Sequence, residues 1–295
     1  MQFSTTEEVA GALAGEGYLA DRALVTSVYL AAALEQPLLL EGEAGVGKTE
    51  VARALAHARG ARLIRLQCHE GIDLHHAVYD WDYQRQLLAI RAAEAGAQAR
   101  ELFGREFLLR RPLLEALEGD TGDTVLLIDE VDRADDEFEA FLLEFLSDFQ
   151  VTIPEVGVVG GGEPPAVIVT SNRTRELHDA LKRRCMYHWI EHPDLAREVA
   201  IARARLPEVP APLVRQVCAF VQELRWLDLH RVPGVGETLD WARSLSELDQ
   251  ERVEPEAAGR TLGSLLKGRD DLERVRGGNL ESLVDRARER AGEVA

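Results

Sequence analysis

The sequence predicts an α/β protein: a mostly parallel β-sheet covered by helices on both faces, followed by a small all-helical domain. Short apolar runs of strand length alternate with helical patterns up to residue 192. One of these runs leads into a glycine-rich turn that opens a helix. After His192 and Pro193 the strand-like runs stop and helical spacing takes over. We therefore expect an α/β domain of residues 1–192 and a helical domain of residues 193–295.

Five apolar runs are the strand candidates: residues 38–40, 63–66, 125–128, 166–169 and 186–190. After the first run, residues 49–58 have helical spacing, and Gly60 ends that helix. Parallel strands joined by helices bring their carboxyl ends to one edge of the sheet, where ligands bind in such folds. Polar residues directly after the runs are therefore the candidates for a functional site.

The composition is strongly acidic, with 34 basic residues against 52 acidic residues and a net charge of −18. A surface of this charge repels phosphate backbones, so we expect no nucleic-acid partner. The three cysteines, Cys68, Cys185 and Cys218, show no CxxC spacing, which argues against a disulfide framework or a structural zinc site. A reducing compartment, the cytoplasm, fits this pattern.

The sequence shows no export signal and no integral membrane segment. The first 17 residues carry Glu7, Glu8 and Glu16 where a signal peptide needs basic residues and an apolar run. The longest mostly apolar stretch, residues 23–34, is too short to cross a bilayer and predicts a buried helix. We expect a cytoplasmic protein.

A phosphate-binding loop is the strongest chemical signal. Residues 42–49 match the pattern G-x-x-x-x-G-K-S/T between a strand and a helix, where backbone N–H groups surround phosphate oxygens. Lys48 would reach the β- and γ-phosphates of ATP, and Thr49 would bind Mg²⁺. The alternative is an incidental glycine-rich turn. The candidate nucleotide-binding residues are Gly42, Glu43, Ala44, Gly45, Val46, Gly47, Lys48, Thr49 and Glu50.

Two carboxylates follow the run 125–128. Asp129 would hold Mg²⁺ through water, and Glu130 would orient and deprotonate the attacking water. An apolar run followed by Asp and Glu is common by itself and becomes specific only together with the phosphate loop.

The fourth run leads to Asn172, which we predict to lie beside the γ-phosphate as a sensor residue. The alternative is a helix N-cap for residues 174–184. Arg183 and Arg184 end that segment. In the simpler interpretation, these arginines only complement the helix dipole. In the alternative interpretation, one of them acts as an arginine finger in the active site of a neighbouring subunit.

Taken together, these elements resemble the Walker A, Walker B, sensor 1 and arginine-finger motifs of AAA+ ATPases over roughly residues 20–250. The resemblance implies a P-loop AAA+ αβα sandwich with a helical lid, ATP and Mg²⁺ as cofactors, and self-association into a ring, in most such proteins a hexamer.

Within this class, residues 127–134 and the leucine-rich segment 139–146 look like the MoxR group. That resemblance implies a β-rich insert in the second helix, at about residues 68–116, and a hairpin before sensor 1, at about residues 149–165.

More narrowly, residues 42–50, 67–73, 79–81 and 233–241 look like the CoxD-type branch. This implies a chaperone that uses ATP to mature a metalloenzyme client, such as the molybdenum-containing carbon monoxide dehydrogenase, with a von Willebrand A-domain partner. One departure is Glu237, an acid where many AAA+ lids have a sensor 2 arginine. Either Arg243 or a neighbouring subunit compensates, or hydrolysis is slow.

Rival interpretations remain open at this point. A nucleotide-dependent binding scaffold with little turnover is disfavoured by Glu130 and Arg184 but favoured by Glu237. A small-molecule kinase, a GTPase or a DNA motor explains fewer of the features. Two weaker signals are a soft-metal cluster of Cys68, His69, His75 and His76, and a client contact at Trp81 and Tyr83.

Overall fold

The structure is a computed structural model that describes residues 3–92, 103–118, 124–278 and 280–293. The described residues form two compact units. The first contains the chain up to residue 16 together with residues 20–41 and 49–189. The second contains residues 17–19, 42–48 and the chain from residue 190 onward. The domain boundary expected at residue 192 stays a prediction.

A five-stranded sheet organises the α/β part of the chain. Its strands are β1 (Leu38–Gly42), β2 (Arg62–Gln67), β5 (Thr124–Asp129), β8 (Ala166–Ser171) and β9 (Met186–Ile190). Their order across the sheet is β2-β5-β8-β1-β9, and β2, β5, β8 and β1 run parallel to one another. The five apolar runs predicted as strands are therefore confirmed, as is the mostly parallel sheet.

The described part of the first unit also contains helices. They are α1 (Thr6–Gly15), α2 (Arg22–Ala33), α3 (Lys48–Arg59), α4 (Leu74–Ala77), α5 (Tyr83–Ala92), α6 (Pro112–Glu118), α7 (Asp136–Asp148) and α8 (Asp179–Lys182). All six residues of β5 are buried, as expected for a central strand covered on both faces. The core on one face joins Ile128 of β5 and Val169 of β8 to Leu142 of α7.

The helix expected over residues 174–184 is wrong. Only Asp179–Lys182 is helical, and the preceding residue is His178, so Asn172 does not cap it. The physical reason is that Asp132 accepts the backbone N–H groups of Asn172 and Thr174, which holds this stretch as a non-helical loop.

Two small antiparallel ribbons lie outside the main sheet. In the region 68–116, β3 (Tyr79–Trp81) pairs with β4 (Leu108–Arg110), and residues 93–102 of the expected insert lie outside the described residues. The described part also contains α4 and α5, so it is a mixed rather than a β-rich segment. A second ribbon, β6 (Gln150–Ile153) with β7 (Gly157–Gly160), lies within residues 149–165.

The two aromatic residues suggested for a client contact differ in exposure. Trp81 is buried and packs edge-on against Phe103, with ring centroids 5.3 Å apart. Tyr83 is exposed on the first turn of α5. Trp81 therefore belongs to the packing of its own unit.

The second unit is helical. It consists of α9 (Leu195–Arg205), α10 (Ala211–Arg225), α11 (Val235–Ser246), α12 (Pro255–Leu265), α13 (Arg269–Gly277) and α14 (Leu280–Gly292), together with the phosphate loop. Phe220 and Trp241 lie at its core with ring centroids 4.9 Å apart. None of the helices in the described part of the chain is long and apolar enough to span a membrane.

A buried polar hub ties three of these helices together. The carboxylate of Glu198 on α9 accepts two hydrogen bonds from the Arg225 guanidinium of α10, at 2.7 and 2.8 Å. It also accepts from Gln222 at 2.7 Å and from the Thr238 hydroxyl at 2.8 Å. A buried charge is tolerated only when it is paired and hydrogen-bonded, so these contacts compensate the Glu198 charge and link α9, α10 and α11.

Candidate nucleotide-binding and catalytic residues

The phosphate loop follows β1 and takes a conformation that requires glycine. Gly45 has φ +78° and Gly47 has φ +96°, a region in which a side chain is strained. The Lys48 ammonium donates to the carbonyl oxygens of Gly42 at 2.8 Å and Glu43 at 2.6 Å. The lysine is only 6% exposed, so its charge is held over the loop.

The same loop lies against the N-terminus of α11. A Cβ added to Gly234 would approach the Gly45 Cα to 2.6 Å, so only glycine fits this close backbone approach. The Val235 N–H donates to the Gly45 carbonyl at 3.0 Å. Glu237 accepts from the Gly234 N–H at 3.1 Å, and the same oxygen lies 3.2 Å from the position that a Gly45 Cβ would occupy. The acid noted in the sequence therefore stands beside the phosphate loop.

Arg243 lies further along α11, where it forms an ion pair with Asp240 of the same helix at 3.9 Å. Glu237 and Arg243 are six residues apart on this helix, so they project from different faces.

Thr49, the first residue after the loop, is linked to the end of β5. Its hydroxyl donates to Asp129 Oδ1 at 3.1 Å, and the Thr170 hydroxyl donates to the same oxygen at 2.6 Å. Thr170 also accepts from the Glu130 N–H at 2.9 Å. Since β5 and β8 are parallel neighbours, their carboxyl ends bring these groups together.

The residues at this position fit a magnesium ion. A hydroxyl and a carboxylate oxygen are ligands that Mg²⁺ prefers, and Thr49 and Asp129 offer them 3.1 Å apart. Asp129 is 2% exposed, so its charge is shielded from bulk water and is available to a bound cation.

The other oxygen of Asp129 is occupied by an arginine that the sequence did not single out. Arg65 of β2 donates to Asp129 Oδ2 from Nε at 2.9 Å and from a terminal nitrogen at 2.5 Å. Arg65 lies two residues before Gln67 on β2, and the register of β2 with β5 puts Gln67 opposite Asp129.

Glu130 has a left-handed backbone, with φ +54°, and a carboxylate held from three directions. Gln67 donates to Oε2 at 3.0 Å, Arg133 donates to Oε2 at 2.9 Å, and the Asn172 amide donates to Oε1 at 3.4 Å. The hydrogen bond and charge of Glu130 raise the pKa of the Arg133 guanidinium. A non-glycine residue in this backbone region is strained by about 1–2 kcal/mol, and such strain concentrates at functional sites.

Asn172 lies next to Glu130, and its sensor role beside the γ-phosphate stays a prediction. The chain on either side of it is held by the Asp132 carboxylate, which is 2% exposed and accepts the Asn172 N–H at 3.1 Å. The following residue, Arg173, is also left-handed with φ +55°. The buried Asp132 carboxylate therefore connects the loop that carries Asn172 to the segment that follows β5.

The two candidate finger arginines are both exposed. Arg184 donates to the Ser147 hydroxyl at 2.6 Å and to the Ala180 carbonyl at 3.4 Å. Within the described part of the chain, the Arg183 guanidinium makes no hydrogen bond or ion pair. Both guanidinium groups are therefore accessible to another molecule.

The soft-metal cluster is not supported. Cys68 is fully buried, and burial together with the Asp129 charge raises the pKa of its thiol to about 12, while His69, His75 and His76 are exposed. Among the described residues the compact group of potential ligands is a different one, Asp136, Glu139 and His178. In this group the Glu139 carboxylate already accepts the backbone N–H of His178 at 2.6 Å and forms an ion pair with Arg175 at 2.7 Å.

Sequence patterns missed the polar partners that reach the acidic pair from the strands beside β5: Arg65, Gln67 and Thr170. The signal that could have found them is their position, since each lies within two residues of the carboxyl end of a predicted strand next to β5. What the sequence does not reveal is strand order, which decides that β2 and β8 flank β5.

A parallel sheet of this strand order, with a glycine loop after β1 and Asp129, Glu130 and Asn172 after its central strands, defines an AAA-type P-loop fold. The family model described as AAA domain (dynein-related subfamily) matches residues 37–185, and the chain belongs to this family. Members of the family generally bind ATP with Mg²⁺, hydrolyse it and form oligomeric rings.

Among solved structures, the chain is similar to the RuvB Holliday junction branch migration motor of Thermotoga maritima. The TM-score is 0.47 and the identity is 16%, over 82% of this chain and 67% of that chain. No curated protein matches the chain.

Proposed function

We propose that this protein is a MoxR-type ATPase that couples ATP binding and hydrolysis to the remodelling or maturation of a protein client. The observation that carries the ATPase part is the arrangement of Asp129 and Glu130. The Asp129 carboxylate accepts a hydrogen bond from the Thr49 hydroxyl at 3.1 Å, and the Glu130 carboxylate accepts one from the Asn172 amide at 3.4 Å.

Each residue has a distinct role in the proposed reaction. The loop from Gly42 to Lys48 binds the phosphates, with the ammonium of Lys48 on the β- and γ-phosphates. Thr49 and Asp129 would hold Mg²⁺, which neutralises phosphate charge when bound. Glu130 orients the attacking water and accepts its proton, and Asn172 fixes the position of Glu130 relative to the γ-phosphate.

Hydrolysis is completed from a neighbouring subunit. Arg183 or Arg184 enters the next active site of a ring, in our proposal a hexamer, and stabilises charge on the transferring phosphoryl group. The exposure of both side chains supports this role.

The client is proposed from the motif resemblance alone. Residues 42–50, 67–73 and 233–241 resemble the CoxD-type branch, so we propose a molybdenum-containing metalloenzyme as client and a von Willebrand A-domain protein as partner. The test is recovery of activity by an immature molybdenum hydroxylase incubated with this ATPase and ATP, with Glu130→Gln as the matched control.

A binding scaffold with little turnover is the second candidate. It is favoured by Glu237, whose carboxylate lies beside the Gly45 backbone, where negative charge opposes phosphate binding. In this case ATP would change the shape of the protein without being consumed at an appreciable rate.

The deciding experiment measures ATP turnover per subunit against protein concentration, with the mass determined by light scattering with and without ATP. For the ATPase we expect a rate per subunit that rises as rings form, and loss of turnover with retained ATP in Glu130→Gln. Lys48→Ala serves as the variant that does not bind nucleotide. A fully assembled wild-type ring that turns over no faster than Glu130→Gln would favour the scaffold.

A further inference from the structure

Arg65 is a cation in direct contact with Asp129, the proposed magnesium-binding carboxylate. Its guanidinium makes two hydrogen bonds to Asp129 Oδ2, at 2.9 and 2.5 Å. The arginine side chain is 46% exposed, whereas that of Asp129 is 3% exposed. A partly exposed cation thus compensates a buried anion, which is costly to leave unpaired.

The two oxygens of Asp129 face different partners. Oδ1 receives the hydroxyls of Thr49 and Thr170, which is the side from which a magnesium ion held by Thr49 would be reached. Oδ2 receives Arg65. A guanidinium on one oxygen withdraws negative charge from the other and repels a divalent cation a few ångströms away, because the local dielectric is low.

Arg65 is also connected to the catalytic carboxylate through Gln67. The terminal nitrogen of Arg65 that contacts Asp129 also donates to the Gln67 amide oxygen, and the Gln67 amide nitrogen donates to Glu130 Oε2 at 3.0 Å. Because Arg65 can only donate, its bond turns the amide oxygen of Gln67 towards Arg65. The amide nitrogen of Gln67 then points to Glu130. One polar chain therefore runs from the proposed metal ligand to the proposed general base.

We propose that Arg65 is an internal counter-ion that opposes Mg²⁺ at Asp129, so that the ion binds only by weakening the Arg65–Asp129 pair. Loss of that pair releases the orientation of Gln67 and loosens its hydrogen bond to Glu130, so that metal binding prepares the general base. This inference rests on the proposed magnesium-dependent binding of ATP.

A purely supporting role for Arg65 makes the opposite prediction. If the guanidinium only held Asp129 in place for the metal, removal of the guanidinium would weaken Mg²⁺ binding. If it opposes the metal, removal strengthens Mg²⁺ binding, because the full carboxylate charge becomes available. The sign of the change separates the two.

The test is Arg65→Gln, measured as the Mg²⁺ concentration that gives half-maximal binding of a fluorescent ATP analogue. We expect this concentration to fall by on the order of tenfold, the effect of one nearby unit charge at a partly buried site. Without Mg²⁺ the variant should bind the analogue more weakly than the wild type, since its site is more negative. Arg65→Lys retains the charge and should stay within about threefold of the wild type.

Arg62→Gln is the matched control, because Arg62 lies on the same strand and pairs with Glu115 away from Asp129. Its Mg²⁺ requirement should equal that of the wild type. This inference alone is overturned if the wild type responds to Mg²⁺ but folded Arg65→Gln needs the same or a higher Mg²⁺ concentration for half-maximal binding of the analogue. A wild type without magnesium-dependent binding of the analogue overturns the proposed function together with it.

Discussion

The Asp132 carboxylate accepts both the backbone N–H and the hydroxyl of Thr174, at 2.8 and 2.7 Å. With the Asn172 N–H at 3.1 Å on its other oxygen, this buried side chain joins the end of β5 to the loop after β8. The relative position of Glu130 and Asn172 thus depends on a residue that contacts no proposed ligand.

Asp132→Ala should therefore slow ATP turnover while nucleotide affinity is retained, because Asn172 loses its anchor but the phosphate loop is untouched. We also expect the free energy of unfolding to fall by about 1–3 kcal/mol, the cost of leaving buried N–H groups without acceptors. Steady-state turnover, analogue binding and urea unfolding measure these effects. The control is Asp148→Ala, an exposed aspartate at the end of α7. Turnover equal to that of this control would rule out a positioning role.

The double variant Arg183→Ala/Arg184→Ala should bind ATP normally and lose turnover by about 10³-fold or more, the effect of removing an arginine finger. Mixing it with Lys48→Ala subunits should restore part of the activity, because an interface is intact wherever the double variant supplies the loop and a Lys48→Ala subunit supplies the arginines. Activity that is not regained in mixed rings would contradict action between subunits. The two single variants then identify the finger. Arg184→Ala also removes a hydrogen bond to Ser147, whereas Arg183→Ala removes no side-chain hydrogen bond or ion pair within the described residues.

Glu237→Gln should increase affinity for ATP several-fold, because it removes a negative charge beside Gly45 while a glutamine can still accept the Gly234 N–H. Titration of a fluorescent ATP analogue measures the change. Glu247→Gln, on an exposed residue at the other end of α11, is the matched control. Equal affinities of the two variants would show that the Glu237 charge does not act on the bound phosphates.

Stability should fall as the pH rises above about 9. Burial raises the pKa of the Cys68 and Cys185 thiols from 9.0 to about 12, and it raises that of Cys218 as well. Because the pKa of each thiol is higher in the folded chain than in the unfolded chain, the protonated thiol favours the folded state. This contribution is complete at a pH below the pKa of the thiol in the unfolded chain. That contribution is lost progressively between about pH 9 and pH 12.

At one unit above the unfolded pKa we expect a loss of about 1.4 kcal/mol per thiol, measured by urea unfolding at pH 8 and pH 10. The same burial predicts that a thiol reagent reacts slowly with the native protein at pH 8 and reacts with all three cysteines in urea. Rapid reaction of the native protein would contradict this assignment.

Much of the fold could be predicted because its signals are local. The five strands follow from apolar runs, and α3 follows from the helical spacing after Thr49. The loop at residues 42–49 could be recognised because its glycines serve backbone angles that few other residues adopt. The short α8 was not predictable, since the helical spacing of residues 174–184 is overridden by a carboxylate 42 residues earlier in the chain.

The fold class, the phosphate loop and the polar residues at the ends of the strands can be predicted, because they depend on spacing and residue type within a few positions. The partners of each acidic residue, in contrast, follow only from the folded chain. Strand order and register place Arg65 on Asp129 and Gln67 on Glu130 from more than 60 positions away. The packing of the phosphate loop against α11 places Glu237 beside Gly45. Such contacts depend on how the whole chain packs, and no local pattern in the sequence encodes them.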